Sequence, residues 1–127
     1  MIKQYLHVQE IPGKGRGVFT REKIRAAVLV EVSPVIVMSA AQRLVLDNTL
    51  LHDYIFEWGE QKDQCCMALG LVPLYNHSYT SNCEYYMDYA REVIGIRTVR
   101  KVAAGEELTI NYNGDWNNPK KVWFDVV

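Results

Sequence analysis

Short apolar runs rich in β-branched residues recur along the chain, and turn residues separate them. Residues 28–30 and 35–37 are two such runs, and Pro34 stands directly before the second. Side chains of this kind favour strands. Because proline cannot donate to a sheet ladder, Pro34 predicts an edge, a bulge or a break between two strand pieces. The pattern as a whole predicts a mostly β fold.

Helical signals are few. Ser39 followed by Gln42 fits a capping box, which predicts a short helix over residues 40–46. Residues 67–71 are interpreted as a second short helix or a turn before Pro73, and the helix and strand alternatives stay open there. Strands are predicted at residues 54–56, 85–86, 93–96 and 107–112.

The size and composition indicate one globular unit. At 127 residues the chain suits a single domain, and we expect residues 1–127 to form it around one core. Hydrophobic residues make up 49% and charged residues 23%, the balance of an ordered globular protein. No apolar run approaches the ~20 residues of a membrane span, and residues 1–5 are too polar for a secretory signal. We therefore expect a cytoplasmic protein without membrane contact.

The charge and the cysteine content argue against a nucleic-acid-binding protein and against a disulfide-linked fold. A net charge of -1 gives no general attraction to phosphate backbones. Nucleic-acid binding through Arg97, Arg100 and Lys101 is disfavoured, because such charge runs are usually solvated faces. The three cysteines form no C-x-x-C pair, and their odd number suits reduced thiols.

The first motif is GKGRGVF, residues 13–19. Its alternating glycines allow positive φ and a close backbone approach to a bound molecule. A plain glycine-rich loop entering a strand is an equally good interpretation of this motif alone. The spacing is not G-x-G-x-x-G, and no G-K-[ST] ending indicates a phosphate loop.

The second motif is the polar cluster of residues 76–78 with Asn82 and Cys83, which by itself fits a polar turn. For His77, a buried histidine bonded to backbone is favoured over a catalytic base or metal ligand. A zinc site from His77, Cys83 and Cys66 lacks ligand spacing and a fourth partner. We therefore predict no metal.

The third motif is GEELTINY, residues 105–112, a turn followed by a strand that ends on Tyr112. Hairpins of this composition are common. Tyrosine is abundant, however, with seven tyrosines between residues 54 and 112. Most suit strand or core positions, and a few would suit a narrow channel for a cation.

Taken in order, GKGRGVF, residues 53–56, NHSYTSNCEY and IGIRTVRKVAAGEELTINY make the chain similar to SET-domain lysine methyltransferases. The resemblance spans nearly the whole chain. It implies a SET-domain fold of small β-sheets with a few short helices and a C-terminal pseudoknot, which departs from the usual rule against threaded chains. The pseudoknot would bring residues 76–77 beside the strand that ends at Tyr112.

The resemblance also implies a cofactor, S-adenosylmethionine, and the residues that bind it. Backbone groups of the glycine loop would meet its methionine part, and a tryptophan ring would stack on its adenine. The implied binding residues are Lys14, Gly15, Arg16, Gly17, Asn76, His77, Tyr112 and Trp116.

Catalysis is assigned by the same resemblance to three tyrosines. Tyr112 matches the family's catalytic tyrosine, and Tyr54 and Tyr85 are the other candidates for the wall of a lysine channel. Positioning is the main task, because the sulfonium already carries an activated methyl group. Tyr85 stands where some members limit methylation, and Ile110 where others have Phe or Tyr. We therefore predict mono- or dimethylation.

Departures from the family pattern concern the flanks. The zinc-ligand cysteine after the Asn-His-Ser triplet is Tyr79 here, and Ser81 and Pro73 replace the usual Pro and Arg. No pre-SET or post-SET zinc modules are expected. Trp116 and residues 123–124 would then close the pocket, and a homodimer is a further hypothesis.

Two functions from different classes remain in view at this stage. The first is a methyltransferase acting on a lysine of a histone or another protein, and the second is a catalytically silent SET-like module that binds a peptide or partner protein. Tyr112, Asn76, His77 and the complete glycine loop favour the enzyme. Binding of S-adenosylmethionine distinguishes the two.

Overall fold

The computed structural model describes residues 1–112. In chain order the elements are β1 Leu6–Ile11, β2 Gly15–Thr20, β3 Leu29–Met38, α1 Ala40–Leu46, a 3₁₀ helix Leu50–Asp53, β4 Phe56–Trp58, β5 Gln64–Ala68, a second 3₁₀ helix Val72–Leu74, β6 Asn76–His77, β7 Cys83–Asp88, β8 Val93–Thr98 and β9 Glu107–Ile110. The fold is mostly β with small sheets and short helices, as predicted. The predicted C-terminal pseudoknot stays a prediction, because the segment after residue 112 lies outside this range.

The first sheet has the order β1-β2-β9-β6. A tight turn joins β1 to β2, and Gly15 closes it with φ of +88°, a conformation that side chains with a Cβ rarely adopt. β9 pairs antiparallel with β2 and parallel with β6. β9 lies between β2 and β6, and the side chain of Asn76 on β6 reaches Arg16 O in β2.

The second sheet has the order β4-β5-β3-β8-β7, with β3 at its centre. The first half of β3 pairs with β8 and the second half with β5, and Pro34 lies where the partner changes. Pairing with β5 begins at Val35, so the missing N–H of Pro34 falls at the end of that ladder. The predicted edge or break is wrong, because β3 is a continuous central strand.

The predicted helix and its cap are confirmed. α1 begins after Ser39, whose Oγ accepts from the Gln42 amide while the Gln42 side chain accepts from the Ser39 amide. The capping box thereby gives hydrogen-bond partners to two backbone N–H groups that have none within the helix. α1 has no buried residue, and it lies on the surface beside β5.

One predicted element is wrong at its start, and one open alternative is decided. Tyr54 does not begin a strand, because its amide donates to Leu51 O and continues the first 3₁₀ turn, so β4 begins only at Phe56. In the segment 67–71, where the helix and strand alternatives stayed open, residues 67–68 lie in β5 and residues 70–71 form a turn before Pro73. β5 pairs on both sides, with β3 and β4, and this ladder outweighs the helical preference of a short apolar run.

The other strand predictions hold, with residues 85–86, 93–96 and 107–110 in β7, β8 and β9. Buried side chains from both sheets form one core cluster, which includes Val18, Val30, Ile94, Ile96, Leu108 and Ile110. Each such side chain contributes about 1.5–3 kcal/mol when fully buried. The cysteines at 65, 66 and 83 are buried thiols. Within residues 1–112, no helix has the length and apolar character to span a membrane.

Candidate active site

The parallel pair of β6 and β9 joins two of the sequence motifs. Asn76 lies opposite Thr109, and His77 lies opposite Ile110. Beyond the strand, Nδ1 of the buried His77 ring accepts from the Tyr112 amide at 3.0 Å. Burial lowers the pKa of His77, which keeps the ring neutral and Nδ1 able to accept. The histidine thus holds the backbone of Tyr112 in place.

The side chain of Asn76 connects the glycine turn to β9. Its Nδ2 donates to Arg16 O at 2.9 Å and to Glu107 Oε2 at 2.8 Å. A Cβ on Gly17 would lie 2.6 Å from Glu107 Oε2 and 3.0 Å from Asn76 Nδ2. A side chain at position 17 would therefore force the ends of the Glu107, Ile11 and Asn76 side chains to move. At Gly15, by contrast, the direction of a Cβ points into open space.

One charged pair borders the glycine turn. Lys14 Nζ lies 3.5 Å from Glu107 Oε1, and both side chains are mostly buried. The sequence predicts a role for the backbone of Lys14 alone, and Glu107 is not among the predicted site residues. The only signal for it in the sequence was its place in the GEELTINY motif. The pair offers one charge of each sign beside Asn76.

Asn82 fixes the start of β9 from the other side. Its Oδ1 accepts from the Thr109 amide at 2.8 Å, and its Nδ2 donates to Glu107 O at 2.8 Å. Nδ2 also donates to Glu106 Oε2 at 3.0 Å. Burial acts to raise the pKa of Glu106, but hydrogen bonds from the Ala103 amide, Asn82 and Arg100 outweigh it and lower that pKa. Glu106 is thus held as an anion.

A cavity of about 390 Å³ is bordered by Tyr75, which precedes β6, and by Tyr112, which follows β9. Its walls are aromatic, and they include the three tyrosines predicted from the sequence. Its remaining lining includes charged side chains from α1, the first 3₁₀ helix and β4. The aromatic lining residues are Tyr54, Phe56, Tyr75, Tyr85, Tyr89 and Tyr112, and the charged ones include Arg43, Asp47, Asp53, Glu57 and Lys62.

Tyr112 contacts both the cavity and the β6–β9 pair. Its hydroxyl donates to Tyr75 O at 2.8 Å, and its ring centroid lies 5.2 Å from that of His77. Burial, followed by the negative field of Glu107, raises the pKa of Tyr112 to about 12. The phenol therefore stays neutral at physiological pH. The oxygen is held by a backbone carbonyl at the cavity wall.

The rest of the aromatic wall comes from the two edge strands of the second sheet and from the first 3₁₀ helix. Tyr85 on β7 contacts Phe56 on β4 edge to face, with ring centroids 5.4 Å apart. Tyr54 comes from the end of the first 3₁₀ helix. Ile110, in contrast, is fully buried in the core and does not line the cavity. Of the two positions predicted to control methylation, only Tyr85 borders this space.

The departures from the family pattern lie around the site. Pro73 stands in the second 3₁₀ helix and lines the cavity. Tyr79 packs edge to face on His77 at 4.5 Å, and the buried Ser81 donates to Cys83 O at 2.7 Å. Trp116 and residues 123–124 lie outside the described residues.

Metal and nucleic-acid sites were the other site types considered from the sequence. Among residues 1–112, no group of three or more His, Cys, Asp or Glu side chains is arranged to hold a metal ion. Two of the three basic residues weighed for nucleic-acid binding are paired with carboxylates. Arg97 Nε donates to Glu84 at 3.0 Å, and Arg100 lies 3.3 Å from Glu106.

Comparison with known proteins identifies the family. The sequence-family model of the SET domain matches residues 15–113 of this chain. The chain belongs to the SET-domain family. The match begins at the glycine turn of this SET domain and ends just after Tyr112, so it contains both the cavity and the β6–β9 pair.

This SET domain is similar to one protein in sequence and to another in structure. A Schizosaccharomyces pombe histone-lysine N-methyltransferase specific for H3 lysine 37 is 33% identical over 126 residues, which are 98% of this chain and 80% of that protein. A crystal structure of a Plasmodium falciparum protein described as a candidate histone methyltransferase superposes with a TM-score of 0.67. It is 24% identical and covers 91% of this chain and 98% of that one. At that identity the likeness concerns the fold.

Proposed function

We propose that this SET domain is a protein-lysine N-methyltransferase that uses S-adenosylmethionine and leaves a mono- or dimethylated lysine. One observation carries the proposal. Tyr54, Tyr85 and Tyr112 line a single cavity, and Tyr112 also bonds to the segment that holds Asn76 and His77. A lysine channel on one side of Tyr112 and a cofactor site on the other fit this arrangement.

The fit of the cofactor rests on the glycine turn. Gly15 opens onto space that a side chain would fill, and Gly17 allows Asn76 to reach both β2 and β9. The Lys14–Glu107 pair offers one cation and one anion, which suits the carboxylate and ammonium groups of a bound amino acid. Backbone of residues 14–17 with Asn76 and His77 would hold the molecule.

The chemistry is a displacement that needs a neutral amine. S-adenosylmethionine supplies a methyl group on a sulfonium: the amine lone pair forms the new C–N bond, and the electron pair of the broken C–S bond stays on sulfur. The lysine, with a pKa of ~10.4 in water, must release a proton to solvent first. An aromatic channel favours the neutral amine by desolvation.

Tyr112 has the geometry of an orienting group. Its phenol is neutral and its hydroxyl hydrogen is directed to Tyr75 O, so the oxygen presents a lone pair to the cavity. Oxygen atoms of this kind stabilise a methyl group that carries partial positive charge through weak C–H···O contacts. Tyr112 therefore acts by position and not as a base.

Histones are the substrate class that the relatives favour. The S. pombe relative is specific for H3 lysine 37. Carboxylates of Asp47, Asp53 and Glu57 line this cavity together with the cations of Arg43 and Lys62, and Arg43 lies 4.0 Å from Asp47 and 3.9 Å from Glu57, so the charged lining by itself favours no substrate. Histone H3 peptides are therefore the first substrates to test, with other proteins on an array beside them.

The deciding experiment measures transfer of a labelled methyl group from S-adenosylmethionine to H3 peptides and to a protein array. We expect activity from the wild type and a loss of at least about 100-fold in Tyr112→Phe, with unchanged folding. Tyr86→Phe is the matched control, because Tyr86 lies on the sheet outside the cavity. Equal activity in Tyr112→Phe would show that Tyr112 is misassigned.

Calorimetric titration with S-adenosylmethionine separates the enzyme from the silent module. Micromolar binding supports the enzyme, and failure to bind supports a module that only holds a peptide or partner protein. The homodimer and the cytoplasmic location stay predictions. Light scattering that shows a monomer at high concentration would remove the homodimer.

A further inference from the structure

The centre of the second sheet contains a buried carboxylate. Glu31 on β3 is fully buried, and three donors surround its two oxygens. Oε2 accepts from Ser33 Oγ at 2.6 Å and from the Leu71 amide at 2.8 Å, while Oε1 accepts from the Tyr75 hydroxyl at 2.9 Å. A buried carboxylate is costly unless such donors satisfy it, so the cluster is a specific arrangement.

Tyr75 links this carboxylate to the cavity. Its side chain ends on Glu31 and is 1% exposed, while its backbone carbonyl accepts from the Tyr112 hydroxyl at 2.8 Å. Burial, followed by the charge of Glu31, raises the pKa of Tyr75 well above its ordinary value, so the phenol keeps the proton that it donates. The same residue is therefore anchored at one end and holds Tyr112 at the other.

The turn before Tyr75 is shaped around the same carboxylate. Gly70 has φ of +67°, and a Cβ there would lie 2.4 Å from both Glu31 Oε2 and Ser33 Oγ. The following residue, Leu71, donates its amide to Glu31. Glu31 thus holds both ends of the segment 70–75. It bonds to the backbone amide of Leu71 near the start and to the side-chain hydroxyl of Tyr75 at the end.

We propose that Glu31 is a positioning residue for methyl transfer: it anchors Tyr75 so that the Tyr75 carbonyl holds the Tyr112 hydroxyl in its productive orientation. The proposal rests on the proposed function for its kinetic consequence, but its geometry can be tested separately. Glu31 itself does not line the cavity, so it acts only through Tyr75. A displacement of 1 Å at such a group costs up to about 100-fold in rate.

The first test compares Tyr75→Phe and Glu31→Gln with the control Tyr86→Phe. Tyr75→Phe keeps the ring but loses the bond to Glu31, and we expect kcat to fall between about 10- and 100-fold while both KM values stay within about twofold. Glu31→Gln keeps one acceptor oxygen and should lose less. A larger KM with unchanged kcat in Tyr75→Phe would overturn the proposal.

A double-mutant cycle separates positioning from a general structural role. In the Tyr112→Phe background, Tyr75→Phe should lower the residual rate no further, because the hydroxyl it positions is already absent. The residual rate is read by single-turnover transfer of labelled methyl groups at high enzyme concentration. An equal fall in both backgrounds would assign Tyr75 and Glu31 to stability alone.

A spectroscopic readout does not depend on activity. With ¹³C at the tyrosine Cζ positions, the Tyr112 signal should shift in Tyr75→Phe and in Glu31→Gln, and it should stay in place in Tyr86→Phe. An unshifted Tyr112 signal would overturn the proposal. A wild type without methyl transfer but with these shifts would contradict the proposed function while leaving the anchoring of Tyr112 supported.

Discussion

The side-chain amide of Asn76 donates to the carboxylate of Glu107 across 2.8 Å, in the space that a side chain at position 17 would fill. The same amide reaches Arg16 O. Three segments far apart in sequence are thereby tied at one point. Because the parallel pairing of β6 with β9 sets the position of Asn76, the contact depends on the tertiary fold.

Gly17→Ala should therefore weaken cofactor binding more than it weakens the fold. The added Cβ would approach Glu107 Oε2 to 2.6 Å and would separate it from Asn76. We expect the Kd for S-adenosylmethionine to rise at least about tenfold, the equivalent of one lost hydrogen bond. Titration calorimetry measures this. Gly105→Ala is the comparison: it meets no neighbour but strains φ at +86°, so it should cost about 1 kcal/mol of stability and leave the Kd unchanged.

Tyr85→Phe should change the product rather than the rate. Tyr85 lines the same cavity as Tyr112 and packs on Phe56. A hydroxyl there restricts rotation of a methylated nitrogen by hydrogen bonding. Its removal should raise the share of higher methylation severalfold, as read by mass spectrometry of the peptide. Ile110→Phe is the contrast, because Ile110 lies in the core and should affect stability instead. An unchanged product distribution in Tyr85→Phe would count against the assignment.

Acid should destabilise the protein through His77. Burial lowers the pKa of this ring in the folded state below its ordinary value of 6.5. The unfolded chain then binds more protons, so the stability that His77 contributes is complete above pH 6.5 and is lost as the pH falls through the lower folded pKa. Protonation also removes the acceptor of the Tyr112 amide. Urea midpoints measured between pH 8 and 5 should fall in the wild type and less in His77→Gln.

Asn82→Ala should destabilise the fold strongly. The Asn82 side chain is buried and bonds to Thr109, Glu107 and Glu106, so its loss leaves ladder groups of β9 without partners. We expect a loss of about 2–4 kcal/mol in the free energy of unfolding. Asn48→Ala is the matched control on the exposed end of α1, where Asn48 makes one bond to Leu44 O. Equal losses from the two variants would refute the structural role.

Much of the local structure was predictable because its causes are local. The capping box of Ser39 and Gln42 lies within one helical turn, so sequence alone predicts α1. The strand at residues 93–96 follows from its apolar, β-branched side chains. The start of the strand predicted at residues 54–56 was wrong and the choice at residues 67–71 stayed open, because a short apolar run suits either helix or strand and distant partners decide between them.

Some residues of the candidate site were likewise predictable from the sequence, and others were not. The glycine turn, Asn76, His77 and Tyr112 were found from motifs in their family order, and the structure brings them together across β2, β6 and β9. Glu31, Tyr75 and Glu107 were missed. Glu31 is 44 residues from Tyr75 in sequence, and no pattern indicates that pairing.

By itself, then, the sequence determined the mostly β character, the capped helix, the glycine turn and the family. These depend on side-chain preferences within a few residues and on motif order. Only the tertiary structure decided which halves of β3 find which partners, which tyrosines share a cavity, and that Tyr75 joins Glu31 to Tyr112. Such contacts are set by burial and hydrogen bonding between segments that meet only when the whole core packs.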